Sequence, residues 1–194
     1  SKVTSTTTGS NLFGESQTTT AETNYEYYEG KSGPREVLGE LKSAITTSTT
    51  TGTDIWGATY TTKSTTTYEI TNNRALAKLV TATTKGTNLF GESYTTTSTT
   101  QYYYYAVEEA PHHVYGEISG TYTDSVTQGT DIWGATYETK STTEYTITNN
   151  RPLASVVTAH TTGSNLFGES YTTDSVTTYT YETTGILGRI ATAV

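Results

Sequence analysis

The chain has 194 residues and a formal net charge of −8. This acidic balance argues against a nucleic-acid partner, because phosphate binding needs clustered Lys and Arg side chains. The absence of cysteine excludes a disulfide framework and a thiolate metal site. No apolar run approaches the length of about 18 residues that a membrane helix needs, so we predict no insertion into a membrane.

The composition predicts an ordered β protein with little aliphatic core. Val, Ile, Leu and Phe together account for only 30 residues, a share that is typical of disorder. However, charged residues make up only 15% of the chain, and 51 Thr with 17 Tyr residues give it a strong β propensity. We therefore expect stability to come from hydrogen-bonded ladders, aromatic pairs and neighbouring molecules.

Two sequence units alternate along the chain. Unit A opens with Gly-(Ser/Thr)-Asn-Leu-Phe-Gly-Glu-Ser, and unit B opens with Gly-Thr-Asp-Ile-Trp-Gly-Ala-Thr-Tyr. The A–B pair recurs every 77 residues without a linker-like break, so we predict one continuous repeat domain over 1–194, in which 1–8 is the end of a truncated B unit. The units are 9–51, 86–128 and 163–194 for A, and 52–85 and 129–162 for B.

The first strands follow from the period-two pattern of the sequence. Residues 1–8 match the closing strands of the B units, and Gly9-Ser10 has the length of a tight hairpin turn. Residues 11–28 alternate with strand periodicity, 30–35 form a turn, and 36–51 return as a strand. The later A units repeat this plan.

The B unit contains the longest regular alternation. From Trp56 to Ile70 the pattern predicts a strand of about 16 residues, on the order of 50 Å long. Asn72-Asn73 and Asn149-Asn150 are predicted as two-residue turns because Asn tolerates positive φ. Lys85-Gly86 is predicted as a further turn.

These elements predict an all-β fold, an antiparallel meander of about eleven long Thr/Tyr-rich strands with open edges at both ends. One sheet, a two-layer sandwich and a barrel all remain compatible with the pattern. The C-terminal strand is apolar and nearly uncharged, which is typical of an interface. The residues expected at the assembly edges are Lys2, Val3, Thr4, Ile186, Leu187, Ile190 and Val194. The aromatics expected to lock the strand register are Phe13, Trp56, Tyr60, Tyr68, Phe90, Tyr102, Tyr104, Trp133, Tyr137, Tyr145 and Phe167.

No pattern in the sequence predicts catalysis. His112 and His113 are interpreted as part of a polar turn, because the other A units have no matching pair that would complete a metal site. No nucleophile-elbow sequence is present. Glu138, Lys140 and Glu144 share a strand face and are expected to form cross-strand ion pairs. We expect neither an enzyme nor a cofactor.

A glycine follows every Leu-Phe and Ile-Trp pair. Glycine inside a strand marks a bulge or a close backbone approach. We therefore predict that this glycine lets an aromatic ring from a neighbouring strand or sheet lie flat on the backbone. The positions are Gly14, Gly57, Gly91, Gly134 and Gly168.

The Thr/Tyr-rich, cysteine-free β repeats resemble proteins of functional-amyloid matrices and of the tubular sheaths around some methanogenic archaea. The resemblance covers the whole chain. It implies an envelope or sheath protein whose durability comes from continuous β pairing between copies. We therefore expect a structural subunit of an extracellular sheath, tube or fibre, with copies of itself as partners.

Two other function classes stay open. The segment from Tyr60 to Tyr68 is similar to the insertion hairpins of aerolysin-like pore-forming toxins. The Thr-x-Thr arrays are similar to those of β-helical ice-binding proteins, and repeated Tyr and Trp side chains could stack on sugar rings, so a surface-binding module is the other alternative. Methionine is absent, including at position 1, which leads us to expect an extracellular or cell-surface protein after signal-peptide removal.

Overall fold

A computed structural model describes residues 1–12, 14–30, 37–106, 114–182 and 189–194. The protein is all-β, and the predicted antiparallel meander of eleven strands is confirmed. The strands are β1 (Lys2–Ser10), β2 (Ser16–Tyr27), β3 (Leu41–Thr53), β4 (Thr59–Thr71), β5 (Arg74–Thr87), β6 (Ser93–Tyr104), β7 (Ile118–Thr130), β8 (Thr136–Thr148), β9 (Arg151–Ser164), β10 (Ser170–Tyr181) and β11 (Ile190–Ala193).

All eleven strands lie in one open sheet. Their spatial order is their order in the chain, and every neighbouring pair is antiparallel. Of the three arrangements that the sequence allowed, the structure is therefore the single sheet. Among the described residues, β1 has a neighbouring strand on one side, and β11 pairs with the last part of β10, from Tyr179 to Tyr181.

The long strands are shorter than the sequence pattern predicted. β4 has 13 residues, which is about 43 Å at roughly 3.3 Å per residue. The predicted strand began at Trp56, but Asp54 to Ala58 form a turn, so the expected length of about 16 residues is corrected. Period-two alternation extends into this turn, which is why the pattern alone misplaced the boundary.

Five turns of one design lie at the same end of the sheet, which we call the tip end. They comprise 11–15, 54–58, 88–92, 131–135 and 165–169. In the second turn Asp54 Oδ1 accepts hydrogen bonds from the backbone N–H groups of Trp56 and Ala58, and Gly57 has φ +87°. Asn or Asp at the first position and a left-handed glycine at the fourth recur in the turns.

This turn design corrects two predictions. The residues Gly9-Ser10 and Lys85-Gly86 were expected to turn, yet both pairs lie inside strands, β1 and β5. The glycines after Leu-Phe and Ile-Trp were expected to receive a flat aromatic ring. Instead each supplies a positive φ, between +81° at Gly168 and +94° at Gly14. An L side chain is strained in this conformation, which explains the glycine.

The opposite end of the sheet, the base end, closes with the predicted Asn-Asn turns. Asn72 and Asn73 have φ 48° and 59°, and the pair at 149–150 has nearly the same values. Near this end a register shift occurs between each even-numbered strand and the strand that follows it: Thr67 and Tyr68 of β4, for example, face Leu79 and Ala77, so Lys78 of β5 is the extra residue. Such bulges increase the local twist and redirect side chains. The base end is therefore less regular than the tip end.

The small core lies toward the base end. Among the described residues, Leu41 and Ala44 are the buried hydrophobic side chains and Thr121 is the buried polar one. Thr121 donates a hydrogen bond from its hydroxyl to the Gln101 carbonyl at 2.7 Å. A single layer leaves both faces of most strands in solvent, so the sheet is held mainly by its backbone ladders and cross-strand pairs.

Candidate assembly surfaces

The two faces of the sheet differ in charge. Directly opposed residues in neighbouring strands share a face, so a residue and its partners define a row across the sheet. Four adjacent rows, which start at Val3, Ser5, Thr7 and Gly9 on β1, contain no charged residue. We call this side the uncharged face. The side chains of the intervening residues make up the charged face.

The row that starts at Thr7 consists of threonine in all ten strands from β1 to β10. Hydroxyl–hydroxyl hydrogen bonds of 2.8 to 2.9 Å join its members in pairs, β2 to β3, β4 to β5, β6 to β7 and β8 to β9. In each pair one hydroxyl donates to the other, which fixes the orientation of the two side chains. The row comprises Thr7, Thr19, Thr50, Thr62, Thr84, Thr96, Thr127, Thr139, Thr161 and Thr173.

The row nearest the tip end alternates glycine with a larger residue. A Cβ added at Gly52 would overlap the ring of Tyr60 from the next strand, and the same holds for three later pairs. The ring therefore occupies the space that a side chain would fill, and glycine is required for this close approach. The row comprises Gly9, Gln17, Gly52, Tyr60, Gly86, Tyr94, Gly129, Tyr137, Gly163 and Tyr171.

Two further rows complete the uncharged face. The row that starts at Ser5 contains only Ser and Ala, and Ser48 and Ser64 share a hydrogen bond of 2.8 Å within it. The row that starts at Val3 contains only Thr and Val, with a hydroxyl pair between Thr23 and Thr46 at 2.8 Å. The side chains are small or β-branched throughout both rows.

One row member departs from the pattern, which gives a test of the ring–glycine contact. The position that holds tyrosine in the later A units holds Gln17 in the first, and a Cβ at Gly9 would meet no atom within 4 Å. We expect Gln17→Tyr to raise the free energy of unfolding by about 0.2–1 kcal/mol, because the ring would cover Gly9. Urea denaturation followed by circular dichroism measures the change. Thr18→Tyr on the charged face is the control, and an equal gain there would contradict the explanation.

The charged face carries isolated ion pairs. Lys140 contacts Glu138 of the same strand at 3.1 Å, and Gln128 of β7 donates a hydrogen bond to Glu138 at 2.7 Å. The hydrogen bond from Gln128, which has the larger effect, and the contact with Lys140 lower the pKa of Glu138 below its usual value. His160 pairs with Asp174 across β9 and β10. The expected cross-strand ion pairs of Glu138, Lys140 and Glu144 are corrected, because Lys140 pairs with Glu138 along the same strand.

The outer edge of β1 has no strand beside it in the part of the chain that the structure describes. All nine residues of the strand are exposed, the pairing with β2 has no register shift, and the strand contains no proline. The terminal ammonium group of Ser1 donates to the Tyr25 carbonyl, Tyr25 N–H donates to the Ser1 carbonyl, and Asn11 N–H donates to the Glu15 carbonyl. Because backbone groups alternate sides along a strand, the odd residues of β1 bond to β2 and the even residues point outward.

The outer edge of β10 has the matching polarity. Asn165 N–H donates to the Glu169 carbonyl, so the odd residues of β10 bond to β9. Thr178 exchanges two backbone hydrogen bonds with Val194, which lies on the other side. Ser170 to Thr177 have no strand beside them in the described part of the chain, and their even members point outward.

A surface ion pair anchors the start of β1. Lys2 Nζ lies 2.7 Å from Glu22, and its hydrogen bond, together with that from Asn24, lowers the pKa of Glu22 below its usual value of 4.5. The stabilisation of the folded state by this carboxylate is complete above pH 4.5 and is lost as the pH falls through the lowered pKa. We expect the Val3 amide to lose protection below about pH 4 in hydrogen exchange corrected for intrinsic rates. In Glu22→Gln this pH dependence should vanish; if it persists, another group is responsible.

The tip end presents a row of apolar side chains. The turn aromatics are exposed, from 66% at Trp133 to 87% at Phe167, and the aliphatic residues before them are exposed too. Successive tips are two strands apart, which is about 9.6 Å. The tip row comprises Leu12, Ile55, Trp56, Leu89, Phe90, Ile132, Trp133, Leu166 and Phe167.

The aromatic residues that were expected to lock the register lie in several different environments. Tyr60 and Tyr137 lie over glycines, as described above. The Tyr68 and Tyr145 hydroxyls hydrogen-bond to Thr side chains of the preceding strand. Tyr104 donates to the Ala77 carbonyl at 2.6 Å, and burial raises its pKa. Tyr102 lies on β6 opposite Thr121. The exposed turn aromatics are Trp56, Phe90, Trp133 and Phe167, whereas Phe13 lies outside the described residues.

The structure describes five of the seven residues that were expected at the assembly edges. Lys2, Val3 and Thr4 lie on β1, and Ile190 and Val194 lie at β11, all exposed. Ile186 and Leu187 fall outside the described residues, as do His112 and His113. Where the structure describes the chain, no three His, Cys, Asp or Glu side chains cluster as metal ligands, and no helix is long and apolar enough to cross a membrane.

Sequence reasoning missed the ring–glycine row although a signal for it exists. Glycine and tyrosine recur eight residues apart in four of the five repeats, as at Gly52 and Tyr60. A hairpin with a five-residue turn places these two positions opposite each other. No family model, no curated protein and no solved structure matches this chain.

Proposed function

We propose that the protein is a structural subunit that polymerises by edge-to-edge β pairing into an extracellular sheath, tube or fibre. The observation that carries this proposal is the pair of outer edges, on β1 and on the β10–β11 side, beside which the described part of the chain places no further strand. Folded monomers usually blunt such edges with proline, charge, bulges or a covering segment. On β1 the one charged residue is Lys2, which pairs with Glu22.

The single layer supports the same proposal. With Leu41 and Ala44 as the buried hydrophobic residues of the described chain, hydrophobic burial contributes little to holding the strands together. Added copies would extend the backbone ladder on both sides and convert exposed edge strands into interior ones. The resemblance to sheath and amyloid-matrix proteins, expected from the repeats, points to the same mechanism.

Electron microscopy of the purified chain at neutral pH tests the proposal. We expect regular fibres, hoops or tubes that survive boiling in detergent, because continuous ladders dissociate slowly. Sedimentation before and after boiling measures the resistant fraction. Small particles that dissolve would contradict the proposal, and lysis of lipid vesicles by such particles would favour the pore-forming alternative.

The uncharged face favours a second candidate, a surface-binding module. Its threonine row repeats at about 4.8 Å across the strands, and adjacent rows lie about 6.8 Å apart along them, a regular array of hydroxyl and methyl groups. Inhibition of ice recrystallisation is the test. Thr96→Lys in the threonine row should abolish inhibition, whereas Thr97→Lys on the charged face should not. A chain with no inhibition at all would rule out ice as the ligand.

A further inference from the structure

We propose that the joint between two copies is an antiparallel ladder between Ser170–Thr177 of β10 and Val3–Ser10 of β1 in the next copy, with Tyr171 directly opposite Gly9. This inference rests on the proposed function and specifies which strands meet and in which register. It places one side of the joint on β10, whereas the sequence alone led us to expect residues 186–194.

The sequence of β1 is that of a strand that already pairs with an A-unit strand. Residues 4–9 read Thr-Ser-Thr-Thr-Thr-Gly, and residues 47–52 on β3 are identical. β3 pairs with β2 on the side away from β1, and β10 occupies the position of β2 in the third A unit. β1 of a second copy therefore has the side chains that fit the free side of β10.

The register follows from the pairing of β2 with β3. There, Ser16 lies opposite Thr53 and Gln17 opposite Gly52. Transferred to the joint by the repeat, this places Ser170 opposite the next copy's Ser10 and Tyr171 opposite its Gly9. The other pairs follow in order to Thr177 opposite Val3.

The backbone groups match in this register and in no register shifted by one residue. Outward N–H and C=O groups belong to the even residues on β10 and to the even residues on β1, as derived above. Ser170, Thr172, Asp174 and Val176 would each exchange two hydrogen bonds with an even residue of β1. Strand direction also agrees, because β1 and β10 run oppositely in the meander, so the second copy keeps the same orientation.

The rows of the uncharged face continue across the joint. Thr173 would meet Thr7, and the hydroxyl bonds that join β2 to β3, β4 to β5, β6 to β7 and β8 to β9 would gain the next member of their series. Ser175 would meet Ser5 in the Ser/Ala row. The tip row would also continue at its spacing of about 9.6 Å, because the tip turns of both copies lie at the same end.

β11 competes with the incoming strand at one point. Val194 exchanges backbone hydrogen bonds with Thr178, and in the proposed register Lys2 of the next copy stands at the same level. Val194 and Lys2 of the next copy therefore compete for the same position beside Thr178, and the C-terminal residues have to detach before the joint closes. β11 therefore slows assembly and takes no part in the joint.

Cysteine cross-linking tests the register, since the chain has no cysteine of its own. Ser5→Cys and Ser175→Cys in one chain place two thiols in a pair without backbone hydrogen bonds, where the Cα atoms are about 4.5 Å apart and a disulfide can form. Within one copy the two strands are about 43 Å apart, so only copies can cross-link. Under oxidised glutathione, assembled material should give a ladder of covalent oligomers on a non-reducing gel.

The control pair is Ser5→Cys with Thr173→Cys, a diagonal neighbour about 7–8 Å away, which should not cross-link. Polymers in which the control pair cross-links and the first pair does not would overturn the register but leave the proposed function standing. Polymers in which Ser5→Cys cross-links instead to Ile190→Cys would move the joint to β11. Failure of the unmodified chain to assemble would refute the proposed function itself.

Deletion of residues 190–194 gives a second test that introduces no thiol. With the competing strand removed, assembly followed by light scattering should start sooner than in the full chain. A joint built on β11 makes the opposite prediction, because the deletion would remove one of its two strands. Loss of polymer in the deletion variant, with the β circular-dichroism signal retained, would overturn the inference.

Discussion

Replacing Thr6 by proline is expected to stop assembly while leaving the subunit folded. The Thr6 N–H points away from β2, so proline removes no bond of the β1–β2 ladder. It removes an outward donor, and its ring projects toward any strand that approaches this edge. We expect the critical concentration for assembly to rise at least about tenfold, equivalent to about 1.4 kcal/mol per joint. Sedimentation over a concentration series measures it.

Two further variants serve as controls for Thr6→Pro. Thr6→Ala keeps the donor and should assemble like the unmodified chain. Thr7→Pro removes a donor that bonds to β2 at Thr19, so it should detach β1 and reduce the β signal in circular dichroism as well as assembly. If Thr6→Pro assembles at the same critical concentration as Thr6→Ala, the outer edge of β1 lies outside the joint.

Asn73→Gly is expected to lower the free energy of unfolding by about 1–3 kcal/mol, chiefly because it orphans a backbone donor. Asn73 Oδ1 accepts a hydrogen bond of 2.7 Å from the N–H of Leu41, the first residue of β3 and part of the small core. Glycine retains the left-handed conformation at φ 59°, so the substitution isolates the loss of this bond. Urea denaturation of the unassembled chain, followed by circular dichroism, measures the change.

The matched control is Asn72→Gly in the same turn, which has φ 48° and leaves the Leu41 bond in place. This variant should lower the free energy of unfolding by roughly 0.5–1 kcal/mol, because glycine loses more chain entropy on folding than asparagine. Asn150→Gly removes the equivalent bond of 2.7 Å to the N–H of half-buried Ile118. This bond is exposed, whereas that of Leu41 is partly buried, so water can replace the acceptor and the cost should be smaller than at Asn73. Equal effects of Asn72→Gly and Asn73→Gly would show that the bond contributes nothing.

The comparison of sequence with structure is most informative at the turns. Asn72-Asn73 and Asn149-Asn150 were predicted correctly because Asn adopts positive φ at low cost and the strands on both sides alternate. Gly9-Ser10 and Lys85-Gly86 were predicted wrongly, since both pairs lie in strands; at Gly86 the missing side chain leaves room for the ring of Tyr94 on the next strand. A glycine has two uses, positive φ and absence of a side chain, and only the neighbouring strand distinguishes them.

The sequence by itself determined the class, the strand number and the meander. These follow from local chemistry, namely the period-two alternation, the Thr and Tyr content and the recurrence every 77 residues. It did not determine which side chains share a face across the sheet, because a row such as Thr7, Thr19 and Thr50 joins residues that no short-range pattern connects.

Only the tertiary structure decided that the strands form a single open layer with one uncharged face. That outcome depends on the register of the strand pairs across the sheet. A shift of one residue between β3 and β4, for example, would exchange the two faces of all later strands and bring Glu138 or Lys140 into the threonine row. The same registers decide which backbone groups point outward from β1 and β10. The proposed joint therefore depends on a property of the whole sheet that no single repeat contains.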